Sequence, residues 1–231
     1  MDVKELFEQG GPLMWAILAA SVVGVAVFIE RLWSLQRSKV LPRAFVDRIR
    51  GMVAKRKTNE ALLLCEENRS SIALILAAGL RTHANGQPRE EIKESVEEVG
   101  NREVARMGRN VEVVGTVAAV SPLLGLLGTV VGMIQVFKNF VEASKNGAVG
   151  PEAFAEGIWQ ALITTAYGLV VAIPMLVIYK FLQGYNERIV VDMEEDALAM
   201  VDMLGHHYRT DAKATEDKNE DRRRAAEDAA T

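Results

Sequence analysis

The sequence predicts an all-α membrane protein with three transmembrane helices, the second and third extended into a cytoplasmic helical bundle. Three observations lead there. Apolar residues are gathered into three charge-free blocks, Gly10–Ile29, Val113–Phe137 and Gly157–Tyr179, of 20, 25 and 23 residues. A helix rises ~1.5 Å per residue, so ~20 apolar residues cross a ~30 Å hydrocarbon core. Three such helices in 231 residues leave no polar shell to bury them in a soluble core. The basic residues are also distributed unevenly. Nine Lys/Arg and one acid lie between Arg31 and Lys57, whereas Lys138–Glu156 holds two Lys and three acids. Positive-inside bias places the long segment after the first span, and the carboxyl terminus, in the cytoplasm.

Taken in order, residues 1–9 form an outer amino-terminal segment and 10–30 the first span. The segment leading into that span is acidic (Asp2, Glu5 and Glu8 against Lys4), and the span runs directly into Glu30, Arg31 and Trp33. It therefore reads as a retained span, not a cleaved leader, and as a peripheral anchor. Residues 31–112 form the cytoplasmic helical segment. Helices are expected over Ala44–Lys57, with Pro42 in a first-turn position, and from a Ser70 or Ser71 cap to Leu80. A turn follows at Asn85-Gly86-Gln87-Pro88, and a helix beginning there shows no break before the second span. Its Arg102, Arg106 and Arg109 share a face and are placed to meet headgroup phosphates. The second span is 113–137, an outer loop 138–156, and the third span 157–180. Ile189, Met193, Ala197, Val201 and Leu204 then recur every three or four residues, extending the third helix over 181–208. From 209 to 231, 13 of 23 residues are charged and the only aliphatic residue is Ala, which reads as a disordered tail.

Small residues mark one side of the later spans: Gly125, Gly128 and Gly132 in the second, Gly157, Ala161 and Gly168 in the third. Helices in lipid associate by close backbone approach, so these positions form a packing seam. Counting depth from the outer ends sets Thr129 level with Thr165, and Pro122 near the level of Pro174. A proline inside a spanning helix frees a carbonyl and permits a bend, which makes both candidate hinges. Thr129, Thr165, Thr164, Gln160 and Ser121 are the candidate ion-pathway residues, because no Asp, Glu, Lys, Arg or His lies inside any of the three apolar blocks. An ion-driven machine needs such a group, so the carboxylate would have to come from another polypeptide. Cys65 is the only cysteine, an inert reduced thiol, and His83, His206 and His207 lack ligand spacing. No metal, cofactor, nucleophile or nucleic-acid motif is found, and the reading is of a non-enzyme.

The string Ser121-Pro122-Leu-Leu-Gly125-Leu-Leu-Gly128-Thr129-Val-Val-Gly132 resembles the second-span motif of the MotA/TolQ/ExbB proton-channel family. Gly157-Ile-Trp-Gln160-Ala-Leu-Ile-Thr164-Thr165-Ala, continuing to Gly168 and Pro174, resembles its third-span motif. The three-span plan is that of the ExbB/TolQ branch. The resemblance implies an inner-membrane subunit, amino terminus periplasmic, of a motor driven by the proton-motive force. It implies a homopentameric ring in the bilayer around an ExbD/TolR-like partner with one span and a membrane Asp. Thr129 and Thr165 would face the pore, and Pro122 and Pro174 would serve the conformational cycle. Gln160 stands where the family usually has Glu, so a titrating role there does not transfer. Proton and sodium both remain open, and a passive scaffold without conduction is the alternative.

Overall fold

The computed structural model describes residues 11–145 and 151–228, and among them every regular element is a helix. The helices are α1 (Pro12–Ser34), α2 (Arg37–Val40), α3 (Arg43–Ala54), α4 (Thr58–Glu67), α5 (Ser71–Ala84), α6 (Arg89–Lys145) and α7 (Pro151–Asp228). Three of them, α1, α6 and α7, are long and apolar enough to cross a membrane. The outer amino-terminal segment lies outside the described residues. The expected loop over 138–156 narrows to 146–150, also outside them, because α6 continues to Lys145 and α7 begins at Pro151. The chain divides into two compact units, Met1–Trp33 with Gly108–Tyr185, and Ser34–Met107 with Asn186–Thr231.

In the first unit α1 packs on both longer helices. Met14, Ile17, Gly24 and Arg31, spaced along one stripe, are its buried residues. A Cβ built on Gly24 would lie 2.9 Å from Met175 Sδ and 3.2 Å from Val117 Cγ1, so glycine lets α1 lie close against both partners there. At its far end Asn110 Nδ2 donates to Glu30 Oε2 (3.3 Å), and Arg31 Nε donates to the same carboxylate (2.9 Å). The expected peripheral anchor is thus a packed member of a three-helix unit. The outward residues are apolar (Val22 and Ile29 on α1, Leu123 and Ile134 on α6, Val170 and Val177 on α7). So large an apolar surface suits hydrocarbon, not water.

The second unit is built around α5, which buries residues on nearly every side, from Ser71 to Leu80. Ser70 caps it, its Oγ accepting from the Ala73 N–H at 3.4 Å. It ends on Gly86, whose φ of +75° is the left-handed conformation that closes a helix most easily with glycine. Against α5 lie Ile92 and Val96 of α6 and Leu204 of α7, all within 4.0 Å of the position a Gly79 Cβ would take. The helix expected over Ala44–Lys57 is observed as α3, with Val46, Ile49 and Val53 buried, and Pro42 sits at its N-cap, one position before the first turn. It stops at Ala54 because Arg56 adopts φ 60°, turning the chain into α4.

Ion pairs decorate this unit: Arg50 with Asp196 (2.9 Å), Arg81 with Glu66 (2.5 Å) and Arg89 with Asp202 (2.5 Å). They are largely exposed, and such pairs contribute only about 0–1 kcal/mol each. Two of the arginines expected to meet phosphates have protein partners instead. Arg102 pairs with Glu98, and Arg106 lies 2.7 Å from the buried Glu103 carboxylate while reaching Ser71 Oγ at 3.5 Å. Arg109 is exposed. The stretch from Arg209, expected to be disordered, is helical to Asp228. It holds no Gly or Pro and is rich in Ala, Glu, Lys and Arg, the strongest helix formers.

Cys65 lies fully buried in α4. Burial, then the neighbouring Glu66 charge, pushes its thiol from 9.0 up to about 12. The thiolate is the reactive form, so its population near neutral pH drops roughly a thousandfold. Alkylation of the folded protein by a maleimide at pH 8 is expected to be slower by that order than after denaturation. A comparable rate in both states would contradict this placement.

Candidate functional site

The seam between α6 and α7 in the first unit is where the small residues and hydroxyls meet. The helices run antiparallel, and glycine contacts give their register. Positions for an added Cβ place Gly132 3.1 Å from Ala161 Cβ and Gly125 3.0 Å from Thr165 Cα. Gly128 faces the Thr164 side chain and Gly157 faces Val136. The tightest approach to backbone is at Gly168, where a Cβ would lie 2.6 Å from the Ser121 carbonyl oxygen. All six small residues of the expected seam therefore lie in the contact. Gly115, outside that set, belongs to it too: the Tyr179 ring lies 2.8 Å from its added Cβ.

The hydroxyls divide by what they bond. Thr165 Oγ1 donates across the seam to the Gly125 carbonyl at 2.9 Å. Ser121 Oγ donates to Val117 O (2.7 Å) and Thr164 Oγ1 to Gln160 O (2.9 Å), each within its own helix. Both are buried to 1% exposure or less and fill the interior of the pair. Thr129 is half-buried, its Oγ1 donating to Leu126 O at 2.7 Å. The register sets Thr129 within about one helical turn of Thr165. Pro122 and Pro174 interrupt α6 and α7. By the same register Pro174 lies roughly one turn beyond the level of Pro122. Their freed carbonyls, four residues earlier, belong to Ala118 and Val170.

Gln160 is half-buried on α7; its backbone carbonyl accepts from the Thr164 hydroxyl, while its side-chain Nε2 lies over Gly11 at the beginning of α1. The described parts of the three spans hold hydroxyls and amides but no ionisable group between Pro12 and Ile29, Val113 and Phe137, or Gly157 and Ala166. The seam can accept and donate hydrogen bonds; it cannot itself exchange a proton at ordinary pH.

Comparison with known proteins places this arrangement. A family model described as the MotA/TolQ/ExbB proton channel family matches residues 67–195. An ExbB homolog of Methanothermobacter thermautotrophicus is 29% identical over 201 residues, covering 86% of this chain and 67% of the relative. An ExbB-like biopolymer transport protein of Synechocystis is 31% identical, covering 79% of this chain and 71% of its own. The Tol-Pal system protein TolQ of Haemophilus influenzae is 29% identical, over 71% and 74% of the two chains. The family match runs through the whole α6–α7 seam. With that match covering more than half of the chain, and the glycine register and the three spans in place, the chain belongs to the MotA/TolQ/ExbB proton channel family.

Proposed function

We propose that this chain is the multi-pass inner-membrane subunit of a motor driven by the proton-motive force, with its amino terminus periplasmic and its carboxyl terminus cytoplasmic. It assembles as a ring, pentameric by resemblance to the family, around an ExbD/TolR-like partner whose single span carries an Asp. The observation that carries this reading is two hydroxyls, those of Thr129 and Thr165, within about one helical turn of each other on helices whose charge-free blocks hold no carboxylate. A proton crossing hydrocarbon needs a titrating group at membrane depth. Here the partner's Asp supplies it, and the two hydroxyls hydrate it and accept or donate hydrogen bonds as its charge changes. Ser121 and Thr164 stand behind them in the seam. Pro122 and Pro174 allow the helices to bend as the partner moves.

One observation favours the alternative, a passive scaffold: Thr165 already donates to the Gly125 carbonyl and so has a packing role. The two readings differ in what the protein binds. Solubilised gently from its own membranes and purified by a carboxyl-terminal tag, the chain is expected to bring with it a short single-span protein with a membrane Asp. Recovery of the chain alone, with its own oligomer intact, would count for the scaffold.

A further inference from the structure

Gln160 has no counterpart among the seam hydroxyls, yet its side chain has a definite place. Gly11 has φ +72°, and a Cβ there would lie 3.0 Å from Gln160 Nε2. Gly11 also opens α1, its carbonyl accepting from the Met14 N–H at 3.1 Å. Directly after that turn Met14 and Ile17 are almost fully buried. The turn needs glycine for its left-handed backbone, and the absence of a Cβ lets the Gln160 amide lie directly against it. α1 is held again by Gly24 between Met175 and Val117, and at its far end by Glu30 with Asn110.

We propose that Gln160 is a positioning residue whose carboxamide seats the opening turn of α1 on α7, so that α1 moves as one body with the seam. A neutral amide suits this role. It fills the space over the Gly11 backbone and offers two N–H donors, whereas a carboxylate at the same depth would have to be protonated or paired. Gln160 then acts on ion movement only through the position of α1.

The test uses the full chain in its native membrane complex, with Cys65→Ser as background. Met14→Cys, buried directly after the turn, is labelled with a maleimide in three forms of the complex: with Gln160 intact, with Gln160→Ala, and with Leu162→Ala as control, Leu162 being exposed on another face of α7. Loss of the amide is expected to unseat the turn and to speed labelling at least about tenfold, while Leu162→Ala leaves it unchanged. Equal rates in all three would overturn the proposal, and that outcome does not depend on ion conduction. A second arm does depend on the ion-pathway reading. Proton uptake by vesicles of the complex with Gln160→Glu is expected to keep its pH midpoint, with at most a uniform loss of rate. A new ionisation in that profile would place residue 160 in the pathway and overturn the positioning role. Absence of uptake in the unsubstituted complex would instead count against the pathway, leaving the labelling of residue 14 to decide for Gln160.

Discussion

Substituting leucine for Gly168 is expected to part α6 from α7 and to leave little folded protein in the membrane. The obstacle is backbone: even the first carbon of a side chain would lie 2.6 Å from the Ser121 carbonyl oxygen, with Gly125 Cα at 3.1 Å. No rotamer relieves such a contact, so the helices must separate. That also breaks the hydrogen bond from Thr165 to Gly125. Overpacking a side chain against side chains costs about 1–3 kcal/mol, and a clash against backbone lies above that range. Without a hydrophobic force between helices in lipid, little remains to hold a separated pair. Gly184→Ala is the contrast, since nothing lies within 4 Å of its added Cβ. It is expected to be neutral or to stabilise by up to about 0.5–1 kcal/mol through helix propensity. Thermal aggregation of the detergent-solubilised chain, with proteolysis in membranes, distinguishes the two.

In the second unit the largest loss is expected from Leu76→Ala. Leu76 is fully buried in α5, the helix that the others surround. Truncation there removes apolar contact and leaves a cavity, at a cost of about 2–5 kcal/mol. Leu63→Ala, at a site 62% exposed on α4, is expected to change stability by less than about 0.5 kcal/mol. Denaturant unfolding followed by Cys65 accessibility would report both, because that thiol reacts only when this core opens.

The spans were legible because a charge-free run of 20 residues or more has few places to go except hydrocarbon. The start of α5 was legible through Ser70, and its end through Asn85-Gly86, since those residues carry the chemistry of a cap and a left-handed turn. The break before α4 was not. It is made by Arg56 at φ 60°, a residue with no preference for that conformation, so no glycine, asparagine or proline announced it. The helical run to Asp228 is hidden for the opposite reason: poverty of apolar residues argues against a core but not against a solvated helix rich in Ala, Glu, Lys and Arg.

At the seam, residue size predicted which positions make contact, whereas depth counting set Thr129 level with Thr165, a residue that the observed register places opposite Gly125, within about one turn of Thr129. What the sequence left hidden was direction. Thr164 and Thr165 are neighbours, yet one hydroxyl returns to its own helix and the other crosses to Gly125. The separation of Gly11 from Gln160 is 149 positions, and no local pattern links a turn residue to an amide so distant. The packing of α1 was hidden for the same reason. Its buried stripe is visible only once Met175, Val117 and Asn110 are beside it.

The central claim is that two threonines form the hydroxyl wall on which a partner's carboxylate works. Valine has nearly the shape of threonine, so Thr129→Val with Thr165→Val keeps the seam filled while removing both hydroxyls. Loss of the Thr165 bond itself is expected to cost about 0.6 kcal/mol, as for other hydrogen bonds between membrane helices, too little to disperse the complex. Proton uptake should therefore be measured in vesicles containing the intact complex, against an imposed potential, with complex recovery quantified in parallel. Normal assembly is expected, with uptake reduced at least about tenfold, a barrier rise of roughly 1.4 kcal/mol or more. Unchanged uptake in an intact double variant would contradict it.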